Sequence, residues 1–437
     1  MAGVSMTRAK IRWNERPVQD RNAMFLLLES SFYAAIISLT SPFLSMYALK
    51  LGASDYQLGL VSALPGLLGI FCLIPGSLFI ESRKDSKRAV AALSLIAACF
   101  YPQLALTPWM GAWSVGSYLL LLGAMQIPCQ VFLISWQSFF SDVVPPGRQN
   151  VVYARRQQVY TIVSTVVTFF AGLGLTYLPG SEQQVIYAYQ IYFLLAFVMG
   201  LAEFIMLSRI KGYQSHTTDM EAGRKAIGTA LKDSLRILWM NKPFRNFTLI
   251  VFLFHLTWYM GWTQFFLFQV NILGANEAWL SYVSVASCVG SIFTFGFWSK
   301  VMAKRGPQLL LTIGMLGLGM NPILNAICTS LWPLIPMNIL MGMTFSAFQL
   351  GLFRNLMDVV PSHNKTLNIA VYTTILNIGA FVMPIVGVAF SQLWLRFLPD
   401  YGQQAALHAT GVIRLMAGFV MVWMNMRRRK PAEQAEN

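Results

Sequence analysis

Ser141-Asp142-Val143-Val144-Pro145 closes one long apolar run of this chain, and Met357-Asp358-Val359-Val360-Pro361 closes another. Each copy is followed by a polar, basic turn. A second echo precedes each: Leu51-Gly52-Ala53-Ser54-Asp55 returns as Leu273-Gly274-Ala275-Asn276-Glu277. Two landmarks in the same order, at nearly the same offset, indicate one long unit written twice.

Composition sets the solvent in which that unit folds. The chain has 437 residues, of which 56% are hydrophobic and 11% charged, and its mean hydropathy is +0.55. A soluble domain carries about 25% charged residues, so these are too few to cover a water-exposed surface. The doubled unit therefore reads as membrane-spanning helices. The formal net charge of +15 does not point to nucleic acid, because Lys and Arg fall in short clusters between apolar runs, with no basic face carrying exposed aromatics. The five cysteines, Cys72, Cys99, Cys129, Cys288 and Cys328, sit inside apolar runs at no ligand spacing. Small packing residues fit them better than a disulfide framework or a zinc site. No cofactor is implied.

A crossing helix needs about 20 apolar residues. On that count twelve spans are predicted: 22–49, 56–80, 88–107, 113–141, 151–178 and 186–208, then 246–272, 277–302, 307–328, 331–357, 366–394 and 403–426. The first run is longer than a cleavable signal's apolar core and is expected to stay as a span. Five parts follow: an N-terminal tail 1–21, a six-helix bundle 22–208, a linker 209–245, a second bundle 246–426 and a tail 427–437. Counting Lys and Arg by side, 29 of the 32 lie on one face; only Lys50 and Arg396 lie on the other, and Arg414 lies within a span. The positive-inside rule then predicts both termini and the linker in the cytoplasm of an inner membrane of bacterial type. In the linker, Ile227, Leu231, Leu235 and Leu238 oppose Arg224, Lys225, Lys232 and Arg236, the pattern of a basic amphipathic helix at a lipid surface. Ser54 and Asn276 are predicted N-caps, with Asp55 and Glu277 favoured by the helix dipole.

Six spans, a linker and six related spans of the same orientation resemble the major facilitator superfamily. The resemblance implies an all-α fold of two parallel six-helix repeats, with substrate bound between them near the midplane. The family's signature loop, G-x-L-a-D-r-x-G-r after the second span, is degenerate here. It reads Gly76-Ser77-Leu78-Phe79-Ile80-Glu81-Ser82-Arg83-Lys84, and its echo has Ala303 where the acid belongs. The stretch Trp136 to Arg156 is similar to that of unassigned bacterial members. Asp142 and Asp358 are expected to serve as the gating latch instead, pairing with Arg148, Arg155, Arg156 or Arg354; helix-end charges among headgroups are the plainer alternative.

The resemblance implies that the first, fourth, seventh and tenth spans line the cavity. Each carries a polar stripe at spacings of three and four, and such residues share one helix face. The stripes are Glu29, Tyr33, Thr40 and Tyr47; Gln126, Gln130 and Gln137; His255, Tyr259, Trp262 and Gln269; and Asn338, Phe345 and Gln349. Polar atoms facing lipid are costly, so these face substrate or, as the alternative, neighbouring helices. Glu29 lies roughly 10 Å deep. Two readings stand for it: a proton-coupling acid, or a fixed salt bridge to Arg155 or Arg156. His255 either shares the proton work or is a hydrogen-bonded structural residue. Glu203, near a helix end, reads as snorkelling, and Arg414 has no carboxylate near it in sequence.

No nucleophile–base constellation and no phosphate-cradling loop is present, so the chain does not read as an enzyme or an ATP-driven pump. The expected function is secondary transport of a small neutral or cationic, partly apolar solute by a monomer in the lipid bilayer. The absence of a bidentate arginine pair argues against phosphate or dicarboxylate. Export in exchange for protons is the first expectation. Sugar or nucleoside uptake and a lipid flippase in the same groove are the alternatives.

Overall fold

The computed structural model describes residues 18–81, 86–211, 232, 235–361 and 365–435. Among them every regular element is a helix. Eleven runs are long and apolar enough to cross a membrane. One of these, Lys87–Leu133, is 47 residues long, about 70 Å as a straight helix and twice what a bilayer core needs. It folds back through the turn Thr107–Trp113, where Gly111 takes φ 58° and ψ −125°, so it makes two crossings. The chain therefore crosses twelve times.

The helices are α1 Val18–Lys50, α2 Asp55–Glu81, α3 Ser86–Ala98 continuing as Phe100–Leu106, α4 Ser114–Val143, α5 Pro146–Tyr177 and α6 Glu182–Ser208. The second six are α7 Lys242–Ile272, α8 Glu277–Arg305, α9 Pro307–Ala326, α10 Leu334–Val359, α11 Lys365–Phe397 and α12 Gly402–Ala435. Pro42 tightens α1 into one 3₁₀ turn over Ser41–Phe43, and α7 ends in a π turn over Phe268–Ile272.

The duplicated landmarks do local work. Gly52 and Gly274 both sit at positive φ, 91° and 71°, so each Leu-Gly-Ala turn reverses the chain through a conformation that disfavours a β-carbon. Asn276 caps α8 by accepting from Trp279 N at 3.1 Å. Ser54 does not cap α2 in that way. Its backbone N–H and its hydroxyl both donate to Gln57 Oε1, at 2.8 and 3.1 Å, because the glutamine three residues on supplies the better acceptor. Val144 and Val360 are both extended, ending α4 and α10 ahead of Pro145 and Pro361.

Packing repeats as well. In the first six helices α1 packs on α5 and α6, α2 on α4, and α3 on α4 and α6; in the second six α7 packs on α11 and α12, α8 on α10, and α9 on α10 and α12. The two bundles meet through α2 with α11 and α5 with α8. Gly66 makes the first approach possible, since a β-carbon there would meet the Phe381 backbone N at 2.6 Å.

Among the described residues one apolar cluster joins the bundles on one side, and separate clusters lie toward the other. At the side that carries Lys50 and Arg396 (the far side), one apolar cluster contains Tyr47, Tyr118, Leu175 and Tyr189 together with Leu267 and Val388 of the second bundle. Toward the basic side each bundle has its own cluster, around Leu26, Trp136 and Phe139 in one and around Phe244, Phe254 and Phe348 in the other.

Of the linker pattern, Arg224, Lys225, Ile227 and Leu231 lie outside the described residues. Leu238 is buried in the second bundle's core and Leu235 is exposed. Asn22 exchanges hydrogen bonds with the Lys211 backbone at 2.7 and 3.2 Å, pinning the end of α6 to the start of α1. α12 continues beyond its expected end to Ala435.

Candidate functional site

Two polar centres lie within the bundles. The first is built on α1, α5 and α6. Glu29 is fully buried and receives a two-pronged contact from Arg156, Nη2 to Oε1 at 3.0 Å and Nε to Oε2 at 3.2 Å. The guanidinium also lies 3.8 Å from the Trp136 ring, and Ser30 Oγ donates to the Arg156 carbonyl at 3.2 Å. A planar fork on a carboxylate, with an aromatic face behind it, is the geometry arginine serves and lysine does not. Of the two sequence readings for Glu29, this supports the salt bridge, with Arg156 as the partner; Arg155 is exposed.

Glu203 is the residue the sequence reading misjudged. It is 3% exposed, so it does not snorkel. It lies within electrostatic reach of both Glu29 and Arg156, yet it takes part in none of the ion pairs among the described residues. Its Oε1 has no hydrogen-bond partner. Two carboxyls therefore lie near one guanidinium, which pairs with Glu29. Glu203 also lines a cavity of about 290 Å³, with Tyr33 and Thr40 of α1, Gln126 and Gln130 of α4, and Ser94 and Tyr101 of α3. Gln130 donates to the Pro65 carbonyl of α2 at 3.1 Å, which fixes its amide at the cavity wall.

The second centre is in the other bundle. Cavities of about 460 and 250 Å³ share Trp262, Phe265, Asn321 and Asn338 in their walls. The larger also takes Gln269 and Asn325, and Pro42 of α1 joins it from the first bundle. The smaller takes Trp258, Ser287, Phe345 and Arg414. Helices α8, α9 and α12 thus contribute to the walls beside α7 and α10.

The remaining candidates fall elsewhere. Tyr47 is packed in the far-side core among Tyr118, Tyr189 and Phe193. The His255 Nδ1 is 2.8 Å from the Val251 carbonyl, and its ring lies among Phe254, Trp258, Tyr259 and Phe348. That packing supports the structural reading of His255. Tyr259 packs edge-on against Trp262 at 4.8 Å. Gln349 is exposed, and the Gln137 side chain lies outside the described residues. Among the described residues no three His, Cys, Asp or Glu side chains converge as metal ligands would.

Of the residues expected to form the gating latch on the basic side, Arg148 and Arg354 pair within their own halves. Arg148 pairs with Asp20 at 2.8 Å, and Arg354 pairs with Asp358 one turn along α10 at 3.2 Å; both are exposed. Asp142 is partly buried at the end of α4. Among the described residues, hydrogen bonds cross between the bundles on the far side, and two of them use the acids of the repeated turn. Gln392 of α11 donates to Asp55 Oδ2 at 2.7 Å, and the Tyr189 hydroxyl of α6 donates to Glu277 Oε1 at 3.2 Å. Thr176 Oγ1 accepts from Ala278 N at 2.9 Å beside them. Hydrogen bonds to a charged acceptor contribute about 1.5–3 kcal/mol each. Asp55→Ala with Glu277→Ala is therefore expected to open the far side. In a cysteine-free background, a cysteine replacing the buried Ser281 is expected to react with a maleimide about tenfold faster or more. An unchanged labelling rate would show that these acids do not hold the seam.

The sequence matches the Major Facilitator Superfamily over residues 26–384. No curated protein sequence matches the chain. Among solved structures it is similar to a bacterial homologue of the human lysosomal transporter Spinster, in an inward-facing and unoccupied conformation, at 14% identity and TM-score 0.69. That match covers 93% of this chain and 96% of the homologue. It is also similar to the nucleoside transporter NupG, at 12% identity and TM-score 0.67, covering 94% and 99%. A D-xylose–proton symporter aligns at 16% identity and TM-score 0.64, covering 92% and 96%. At these identities the structures speak for the fold alone. The doubled six-helix layout and the match along most of its length lead to one conclusion: the chain belongs to the major facilitator superfamily of transporters.

Proposed function

We propose that this transporter moves a small, partly apolar solute by alternating access, in exchange for protons, with its basic side in the cytoplasm of an inner membrane. The observation that carries the coupling is Glu203, a buried carboxyl at a cavity wall; Arg156, the cation near it among the described residues, is already committed to Glu29. With both acids ionised, the cluster of Glu29, Arg156 and Glu203 carries one uncompensated negative charge in a low-dielectric bundle. Binding a proton at Glu203 removes it. Among the described residues the ionisable side chains around Glu203 are Glu29, Arg156, Tyr33, Tyr101 and Cys129.

Rocking between states breaks the far-side contacts of Asp55 and Glu277 and brings the separate basic-side cores together. The neutral or cationic solute expected from sequence rested on the absence of a bidentate arginine pair from the cavity. Arg414 enters the wall from α12, so one cation is present there, short of a pair but enough to reopen a singly charged anion.

Flux in proteoliposomes tests the reading. Solute movement is expected to accelerate and become concentrative when a pH gradient is imposed, and to stop being concentrative when a protonophore collapses it. Solute flux indifferent to the gradient would overturn the coupling, and gradient-independent movement of labelled lipid would favour the flippase alternative.

A further inference from the structure

We propose that Arg414 is the anchor of an anion-binding subsite in the second bundle, and that the solute is a small organic monoanion with a flat apolar body. The inference rests on the transport reading for its physiological meaning, but the binding site itself stands on separate observations.

Arg414 lies within α12, 2% exposed. Its two terminal nitrogens donate to backbone carbonyls, Nη1 to Leu318 of α9 at 3.3 Å and Nη2 to Thr257 of α7. These are neutral acceptors. Among the described residues Arg414 takes part in no ion pair, and its Nε has no hydrogen-bond partner. A charged guanidinium held in a bundle without a counter-charge is a costly arrangement unless an anion completes it. The contrast with Arg156, whose charge is met by a carboxylate of its own bundle, shows that this fold can supply a partner where one is needed.

The surroundings are shaped to admit such a ligand. Arg414 lines the cavity of about 250 Å³ that shares walls with the 460 Å³ one. α7 carries Gly261 opposite it, where a β-carbon would collide with Nη2. Asn321, Asn338 and Ser287 offer neutral hydrogen bonds around the same space, and Trp258, Trp262 and Phe345 offer aromatic faces. Trp258 also lies 5.8 Å from the guanidinium carbon, so the cation and the aromatic wall form one surface.

One cation with neutral amides and a hydroxyl suits a single negative charge. Phosphate or a dicarboxylate would bring more charge than the wall can meet. The indoles suit a planar apolar body next to that charge. Sequence inspection could not reach this arrangement, because Arg414 was judged by its neighbours along the chain and its partners come from α7 and α9.

The experiment uses the full-length purified protein and a matched series: 3-phenylpropionate, its amide, the corresponding amine, and oleate as a lipid-sized carboxylate. Thermal shift reads binding, since a ligand that binds the folded state raises its apparent stability, and quenching of tryptophan fluorescence gives affinities. The short carboxylate is expected to bind while the amide and amine bind about tenfold to hundredfold more weakly, the difference a charge-assisted hydrogen bond carries. Arg414→Gln is expected to abolish that preference, and Arg414→Lys to keep part of it. Comparable binding of the amide or amine, no binding of the short carboxylate, or unchanged carboxylate affinity in Arg414→Gln would overturn the proposal. Tighter binding of oleate would overturn its small-solute part.

Should Arg414→Gln not fold, the wild-type series decides alone. The two readings fail separately. Arg414-dependent binding without gradient-driven flux overturns the transport mechanism and leaves the subsite. Gradient-driven flux without carboxylate preference does the reverse.

Discussion

Glu29→Gln is expected to destabilise the protein by about 3–5 kcal/mol, because it removes the carboxylate that directly pairs the buried Arg156 guanidinium, while Glu203 makes no ion pair with it. The pair is tightly enclosed, with the Glu29 side chain 0% and the Arg156 side chain 10% exposed, so solvent screening is weak. Arg156→Gln should cost a similar amount by stranding the carboxylate. The double replacement Glu29→Gln with Arg156→Gln should recover much of the loss, since two amides can bond each other without a net charge. Denaturant unfolding of the four purified variants measures the coupling as a double-mutant cycle. Arg156→Lys should fall between, keeping the charge but losing the fork. If each single replacement costs less than about 1 kcal/mol, the range of exposed pairs, the ion pair does not hold the bundle.

Glu203→Gln should do the opposite: leave stability unchanged or improved, and remove proton-driven transport. The replacement keeps the shape and removes the one carboxyl of the cluster that has no cation of its own. Concentrative flux in proteoliposomes should fall to the level of the gradient-free control, while exchange of solute down its own gradient continues. That combination separates a coupling defect from a binding defect, because exchange needs the whole rocking cycle and the solute site but no proton. Driven flux at the wild-type rate in Glu203→Gln would move the coupling elsewhere. Normal driven flux in a folded Glu29→Gln variant, with loss in Glu203→Gln, would assign the proton to Glu203 alone.

These two acids also show where sequence reasoning ran out. Both lie on crossing helices, and depth along the helix was readable for each. The sequence placed Glu29 deep and Glu203 near an end, yet both are buried. Depth counts residues from a helix end, whereas burial depends on the face presented to the neighbouring helices. For α6 that face was set by its packing on α1 and α3. The same limit explains the cavity walls. The stripes on the first, fourth, seventh and tenth helices do contribute Tyr33, Thr40, Gln126, Gln130, Trp262, Gln269, Asn338 and Phe345. Ser94 of α3, Asn321 and Asn325 of α9, and Ser287 of α8 were passed over because the resemblance assigned the lining to the first, fourth, seventh and tenth helices. Asp55 and Glu277 were correctly seen as matched, but as helix-dipole partners only; their bonds to Gln392 and Tyr189 cross between bundles.

The sequence by itself determined the solvent, the crossings and the duplication. Each of these is written locally: apolar runs of bilayer length, a Leu-Gly-Ala turn before an acid, and an Asp-Val-Val-Pro stop. Twelve crossings and the matched packing of the two halves follow from those signals. Only the tertiary structure decided which charged groups meet. Arg156 joins Glu29 across 127 residues, and among the described residues Glu203 and Arg414 take part in no ion pair. The reason is geometric. The partner of a buried charge is chosen by the rotation and tilt of several packed helices, and no one helix's pattern carries that information.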